Sequence, residues 1–149
     1  MQINEKPYLT GRTFMFGIQK GQDLLQSIEF FCHHNQIRCA TITGIGAVEK
    51  ATFGVYNQKT KKYNKINLNQ DLEILSLNGN ISLFDDQPMV HAHIMFADLE
   101  GKAYGGHLMA DTNVFSCELH IQELSGEEKV RKVEKATQLP LWSNPLCLK

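Results

Sequence analysis

The chain has 149 residues, 42% of them hydrophobic and 21% charged, with a formal net charge of −1, which fits one domain with a core of ordinary size. A pI of about 6.6 supplies no basic field to attract nucleic acid or an anionic membrane surface. No apolar run reaches about 18 residues, so no transmembrane span is expected, and residues 1–6 lack a signal peptide's apolar segment.

Residues 12–18 read as a first strand. Asp23 then suits the N-cap of a helix. Leu24, Leu25, Ile28, Phe31 and Cys32 recur at spacings of three and four, so that helix is amphipathic and ends near Asn35. His33 and His34 fall at its C-terminal end, where the dipole favours a protonated imidazole, and are expected to be exposed. Residues 39–48 are β-branched, and Gly44 and Gly46 within them suggest a bulge or a close backbone approach. That lone Gly-x-Gly is no dinucleotide signature, because no further glycine spacing or amphipathic helix follows.

Residues 51–56 read as a separate strand, hairpin-linked to the one before. A polar loop over 57–62 and a short, edge-like strand over 63–68 follow. Residues 72–77 alternate as a strand, with Asn78-Gly79-Asn80 as a turn or bulge before 81–83. A polar loop at 85–88 leads into the apolar run 89–97. The last long strand, 114–124, alternates Phe115, Cys117, Leu119 and Ile121 with Ser116, Glu118, His120 and Gln122, one face buried and one polar. After Gly126 the chain is charged and mixed. Pro140 and Pro145 allow it no more than a turn of helix. The four cysteines, Cys32, Cys39, Cys117 and Cys147, form no Cys-x-x-Cys pair. They read as reduced thiols of a cytoplasmic protein, Cys32 and Cys117 as small core residues. The order gives an α+β fold: a mostly antiparallel, curled or barrel-like sheet with one N-terminal helix packed on it.

The chemistry concentrates in residues 89–109. Residues 98–101 form a turn, and a second strand starts at Lys102. If Asp98 pairs with Lys102, Gly101 takes the left-handed position that closes a three-residue loop. Counting back equally along both strands then sets His93 opposite His107. Directly opposed residues share a face with Cβ atoms about 4.5–5.5 Å apart, and His91 shares the face of His93 by period two. A slip of one residue would send His107 to the other face.

Three neutral imidazoles on rigid strands suit a divalent ion, zinc above all, with a fourth position left for water or a substrate oxygen. Nickel, copper and iron also accept such ligands. The same side chains also fit as three hydrogen-bonded histidines at an inner surface. Glu73, between Leu72 and Ile74, and Glu118 in the last strand are the candidate acid/base carboxylates, although both also read as solvated, outward-facing residues. No Walker loop occurs. Lys59, Lys61, Lys62 and Lys65 read as a solvated loop face, as do Arg131, Lys132 and Lys135 among Glu127, Glu128 and Glu134.

Several motifs in order resemble one family. They are Arg12-x8-Gly21-x-Asp23-Leu24, Thr43-Gly44-Ile45-Gly46-Ala47-Val48, the run from Glu73 to Ser82, His91-x-His93, and Gly105-Gly106-His107-Leu108. Together they are similar to the PPC domain, the "plants and prokaryotes conserved" domain. The resemblance covers residues 9–141 as a single domain, with 1–8 and 142–149 as short terminal segments. It implies an α+β fold that assembles as a homotrimer. In plants the domain follows AT-hook segments in nuclear proteins, and prokaryotic single-domain members are often labelled predicted DNA-binding proteins.

The fold is also similar to that of α-acetolactate decarboxylase, whose metal is held by His-x-His and a later His. Carried over, that implies His91, His93 and His107 as metal ligands. No Arg-Gly-Arg-Pro core of an AT-hook occurs here, so any DNA contact is expected to be weak and salt-dependent. The expected function is a stand-alone trimeric DNA-binding or assembly module with a three-histidine, zinc-like site. The alternative is a lyase- or decarboxylase-like, metal-dependent enzyme acting on a small carbonyl or carboxylate compound, so a small-molecule ligand is a second expected partner; no membrane partner is expected.

Overall fold

Long β-branched runs broken by few turn residues produce long strands, and here they build one curled antiparallel sheet. The computed structural model describes residues 6–143; the first five residues, Pro145 and Cys147 lie outside them. The elements in order are β1 (Leu9–Ile18), α1 (Leu24–His34), β2 (Ala40–Asn57), β3 (Lys62–Leu68), β4 (Leu72–Phe84), β5 (Gln87–Ala97), β6 (Ala103–Leu108), β7 (Asn113–Ser125), β8 (Arg131–Val133) and β9 (Pro140–Trp142). The sheet runs β1-β7-β2-β4-β5-β6, with β3 also on β2, and β6 returns to pair β2 at Phe53 and Gly54. The strand path is thus ring-like without being a closed barrel.

The length of β2 makes this possible. Its first half pairs β4 and β7, and its second half pairs β3 and β6. Residues 51–56 are therefore a continuation of the same strand, not a separate one. Nothing between Val48 and Ala51 can turn the chain, and bulges bend it instead. Register shifts fall between Gly44 and Gly46 against β4 and between Ala47 and Val48 against β7. Gly46 adopts φ +149°, and a Cβ there would overlap the Ser116 carbonyl.

The second shift also decides the fate of Phe115. Val48 pairs Val114 while Ala47 pairs Ser116, so Phe115 is the extra residue of the bulge. It is 52% exposed while Val114 is buried, the reverse of simple alternation, and the Lys20 ammonium sits 4.4 Å from its ring. Asn78-Gly79-Asn80 is likewise no turn. These residues run straight through β4 opposite His93, Ala92 and His91, and the irregularity lies between Ile74 and Ser76. The chain reverses only at Asp85 and Asp86, both at positive φ, in a two-residue hairpin turn.

Helix α1 starts where expected. Asp23 Oδ1 accepts from the Gln26 amide at 2.9 Å, and Oδ2 accepts from the Asp111 and Thr112 amides. One carboxylate thus caps the helix, worth about 1 kcal/mol, and anchors the entry to β7. Leu24, Ile28 and Cys32 are fully buried, and Phe31 stacks on Phe16 at 4.0 Å between ring centroids. Arg12 forks onto Glu123 and donates to the Asn35 carbonyl at the helix C-cap, tying β1, β7 and α1 together. His33 and His34 are exposed. Burial pushes the Cys32 thiol up to about 12 and Cys117 to about 11, as expected of inert core thiols.

The charged tail is not helical. Arg131, Lys132 and Val133 pair with Trp142, Leu141 and Pro140 as a small two-stranded sheet, and Arg131 is 5% exposed, not solvated. Lys132 and Lys135 are exposed, as are Lys59, Lys61, Lys62 and Lys65. No described helix is long and apolar enough to cross a membrane.

The β2 bulge supplies a direct test of this topology. Gly46→Ala is expected to lower folding stability by about 2 kcal/mol or more, since both the backbone angle and the space are unfavourable. Chemical denaturation measures it, and near-wild-type stability would contradict the bulge.

Candidate metal centre

One turn sets the positions of the side chains that carry chemistry. The Asp98 amide donates to the Lys102 carbonyl at 3.1 Å, and the Gly101 amide to the Asp98 carbonyl at 2.9 Å. Asp98 Oδ1 accepts from the Glu100 and Lys102 amides, Oδ2 from the Tyr104 hydroxyl at 2.8 Å, and Gly101 sits at φ +78°. The Tyr104 hydroxyl, with the two amides, holds the Asp98 carboxyl below the usual carboxylate range. This is the three-residue loop read from sequence, and it sets His93 directly opposite His107.

β6 then lies between β5 and β2. A Cβ at Gly106 would lie 2.5 Å from the Gly54 carbonyl oxygen, so only glycine allows the approach that seats His107 beside Gly54. The absence of a side chain at Gly54 in turn leaves room for the Tyr63 ring, which stacks on His107 at 5.0 Å.

His91, His93 and His107 converge. Their potential ligand atoms all lie within 4.8 Å of one another, and ring centroids are 5.3–5.9 Å apart. His93 is exposed and the other two are half-buried. His107 Nδ1 is buried with no hydrogen-bond partner. Burial, the Arg131 charge and the other two imidazoles push His91 down to about 4, and burial first, then His93 and Arg131, lowers His107. Both rings are therefore neutral at pH 7, with lone pairs free to ligate. An orphaned nitrogen among neutral imidazoles fits a divalent cation.

Arg131 completes the site, and sequence reasoning missed it. Its Nε donates to Ser82 Oγ at 2.7 Å, Nη2 to Asn80 Oδ1 at 2.7 Å and Nη1 to the Pro140 carbonyl at 2.9 Å. Nη2 also lies 3.4 Å from His91 Nδ1. Trp142 covers the guanidinium at 5.4 Å, and its indole N–H donates to Ser82 Oγ. The available signal was indirect: polar Asn80 and Ser82 in β4 face the same way as His91, and such buried polar groups require a partner. A cavity of about 200 Å³ opens here, lined by His91, His107, Arg131, Tyr63, Met89 and the 139–141 segment.

Neither candidate carboxylate joins the imidazoles. Glu73 is exposed opposite Ala97, in a groove with Asp71 and Asp98. Glu118 is exposed opposite Gly17 and Ile45, beside Met15 and His120. Their surroundings are those of outward-facing solvated residues, because both strands turn these positions away from the core. Among the described residues the cluster is three histidines alone.

The family described as the Plants and Prokaryotes Conserved (PCC) domain matches residues 6–125. The chain is similar to a plant- and prokaryote-conserved protein of Pyrococcus horikoshii, with 37% identity and TM-score 0.90 over 99% of this chain and 100% of that one. It is similar to a metal-containing protein of Archaeoglobus fulgidus, with 40% identity and TM-score 0.88 over 97% and 100%. A candidate DNA-binding protein of Bacteroides thetaiotaomicron shares 25% identity and TM-score 0.82 over 91% and 96%. A curated relative, the bifunctional protein GlmU of a Synechococcus strain, is 35% identical over 106 residues; these are 69% of this chain and 16% of that protein. The chain thus spans about a sixth of that relative's length.

The lowered imidazoles give a pH prediction for the metal-free protein. His91 titrates near 4 when folded, against an ordinary value of 6.5, so the unfolded chain binds more protons between those values. The stability that neutral His91 contributes is therefore fully present above about pH 6.5 and lost as pH falls toward about 4. Thermal unfolding across that window is expected to show falling Tm on acidification, with a shallower slope in His91→Gln. Equal slopes would contradict burial of a neutral His91.

Proposed function

The chain belongs to the Plants and Prokaryotes Conserved (PCC) domain family, and from that premise we propose that it is a metal-holding assembly module. In this reading residues 9–141 form one domain, three copies associate, and His91, His93 and His107 of each hold one divalent cation. The observation that carries it is the buried, partnerless Nδ1 of His107 inside a set of three imidazoles. The similar Archaeoglobus fulgidus protein, described as metal-containing, supports a metal.

An all-nitrogen donor set without thiolate or carboxylate favours zinc among the common ions. The bound ion would supply a Lewis-acid centre with an open coordination position. The chain's own residues do the positioning: Tyr63 stacks against His107, and the Arg131–Asn80–Ser82 network backs His91. Such supports orient ligands and tune the metal.

Association is supported by the sheet's outer face. Met15, Ile45, Leu75 and Met95 are exposed there at 81%, 56%, 48% and 50%. Met15, Ile45 and Leu75 line one shallow depression, and Met95 follows His93 on its own face of β5. Exposed apolar side chains grouped in this way mark protein–protein contact. A homotrimer closing over this face would also cover the exposed His93. DNA contact, suggested by the Bacteroides thetaiotaomicron relative, is secondary in this reading, because a chain of net charge −1 offers few phosphate contacts.

Metal analysis and sedimentation test the proposal together. Purified protein is expected to carry about one metal per chain and to sediment as a trimer. His91→Ala/His93→Ala is expected to lose the metal while remaining folded, and Leu75→Glu to shift the protein toward monomer, since a buried unpaired charge costs several kcal/mol. A wild type without stoichiometric metal, whose fold is indifferent to loss of both imidazoles, would sink the metal reading; a monomeric wild type would sink the assembly.

A further inference from the structure

A buried positive charge needs a negative partner, and the site described above has none. Arg131 is 5% exposed. Its three short hydrogen bonds go to a hydroxyl, an amide oxygen and a backbone carbonyl, all neutral. Among the described residues no ion pair involves it. The three imidazoles beside it bring no negative charge, and no Asp or Glu stands in the cluster. A divalent cation there would add two positive charges to the one already present. Buried charge of a single sign, left uncompensated, is strongly unfavourable.

We propose that Arg131 and the cation held by His91, His93 and His107 together bind a small carboxylate anion in the cavity beneath the β8–β9 hairpin. This rests on the metal reading for the cation's share of the binding, and on Arg131 alone for the rest. Three of the five guanidinium N–H groups make short hydrogen bonds and the second Nη2 N–H lies toward His91 Nδ1 at 3.4 Å, which leaves one Nη1 N–H for a ligand. That donor, together with the guanidinium charge, suits a carboxylate oxygen.

The cavity's size and lining choose the rest of the molecule. Its volume of about 200 Å³ leaves room for a small molecule, since a single water needs only about 10–15 Å³ of such space. Tyr63, Met89, Leu139 and Leu141 supply apolar lining beside Arg131 and the imidazoles. A bare inorganic anion would leave that lining unfilled, whereas a carboxylate on a short carbon chain meets both kinds of contact. The hairpin that delivers Arg131 also delivers Leu139 and Leu141, so a charged and an apolar contact arrive on one element.

Trp142, the only tryptophan of the chain, lies 5.4 Å from the Arg131 guanidinium and reports binding without any assay of activity. Butyrate, its neutral isostere butyramide, and inorganic phosphate would each be titrated into metal-free and zinc-loaded protein. Butyrate is expected to change Trp142 fluorescence saturably in both forms, about tenfold or more tightly than butyramide, and more tightly with zinc. Between the metal-free forms, Arg131→Gln is expected to weaken butyrate by about tenfold or more relative to the wild type, with Arg131→Lys intermediate.

Butyrate binding no tighter than butyramide in the wild type would overturn the proposal, as would equal butyrate affinity in the wild type and either folded Arg131 variant. Phosphate binding tighter than butyrate would overturn the carboxylate class. A wild type that takes up no zinc yet binds butyrate through Arg131 would sink the metal reading while upholding the anion site. Zinc uptake without any butyrate response would do the opposite.

Discussion

The register of one hairpin is the constraint on which the rest depends. Asp98 accepts from two amides of its own turn and from the Tyr104 hydroxyl, and Gly101 supplies the positive φ that closes it. Together they align β5 and β6 so that His93 faces His107. Strand side chains alternate with period two, so a slip of one residue would move His107 to the opposite face and dissolve the cluster. The pairing is held at its far end too, where β6 meets β2 at Gly54. The site therefore sits between two independent clamps.

Cover on the sheet's outer face does the electrostatic work. His91 and His107 lie on the face of the exposed His93, where Tyr63 and the β8–β9 hairpin close over them, and that burial keeps both neutral. Neutral imidazoles are ligands, whereas protonated ones repel a cation. Arg131 adds to that effect from the tail, where its charge opposes protonation of His91. One guanidinium thus serves three ends: it pins the β8–β9 hairpin through Pro140, satisfies Asn80 and Ser82, and keeps His91 in its metal-binding form.

Local chemistry made some of this legible from sequence, and its absence hid the rest. The Asp23 cap, the helix it begins, the Asp98–Gly101 turn and the opposed histidines each follow from residues a few positions apart. The continuity of β2 did not, because its bends are made by bulges whose position depends on the partner strands β4 and β7. The same bulge inverted Phe115 and Val114, which alternation alone assigns to the wrong faces. Arg131 was hidden for a different reason. A charged residue among charged neighbours reads as solvated, and only the long-range pairing of β8 with β9 and its packing on β4 buries it. The outward-facing reading of Glu73 and Glu118 was legible, since the apolar residues on either side of each put the carboxylate on the opposite face of its strand.

The central claim is that the three imidazoles hold a metal directly. X-ray absorption at the metal edge of the loaded protein tests it most closely. The account predicts three imidazole nitrogens at about 2.0–2.1 Å with oxygen in the remaining position, and loss of the imidazole scattering in His91→Ala/His93→Ala. A spectrum dominated by sulfur or by oxygen alone, or one unchanged in that variant, would contradict it.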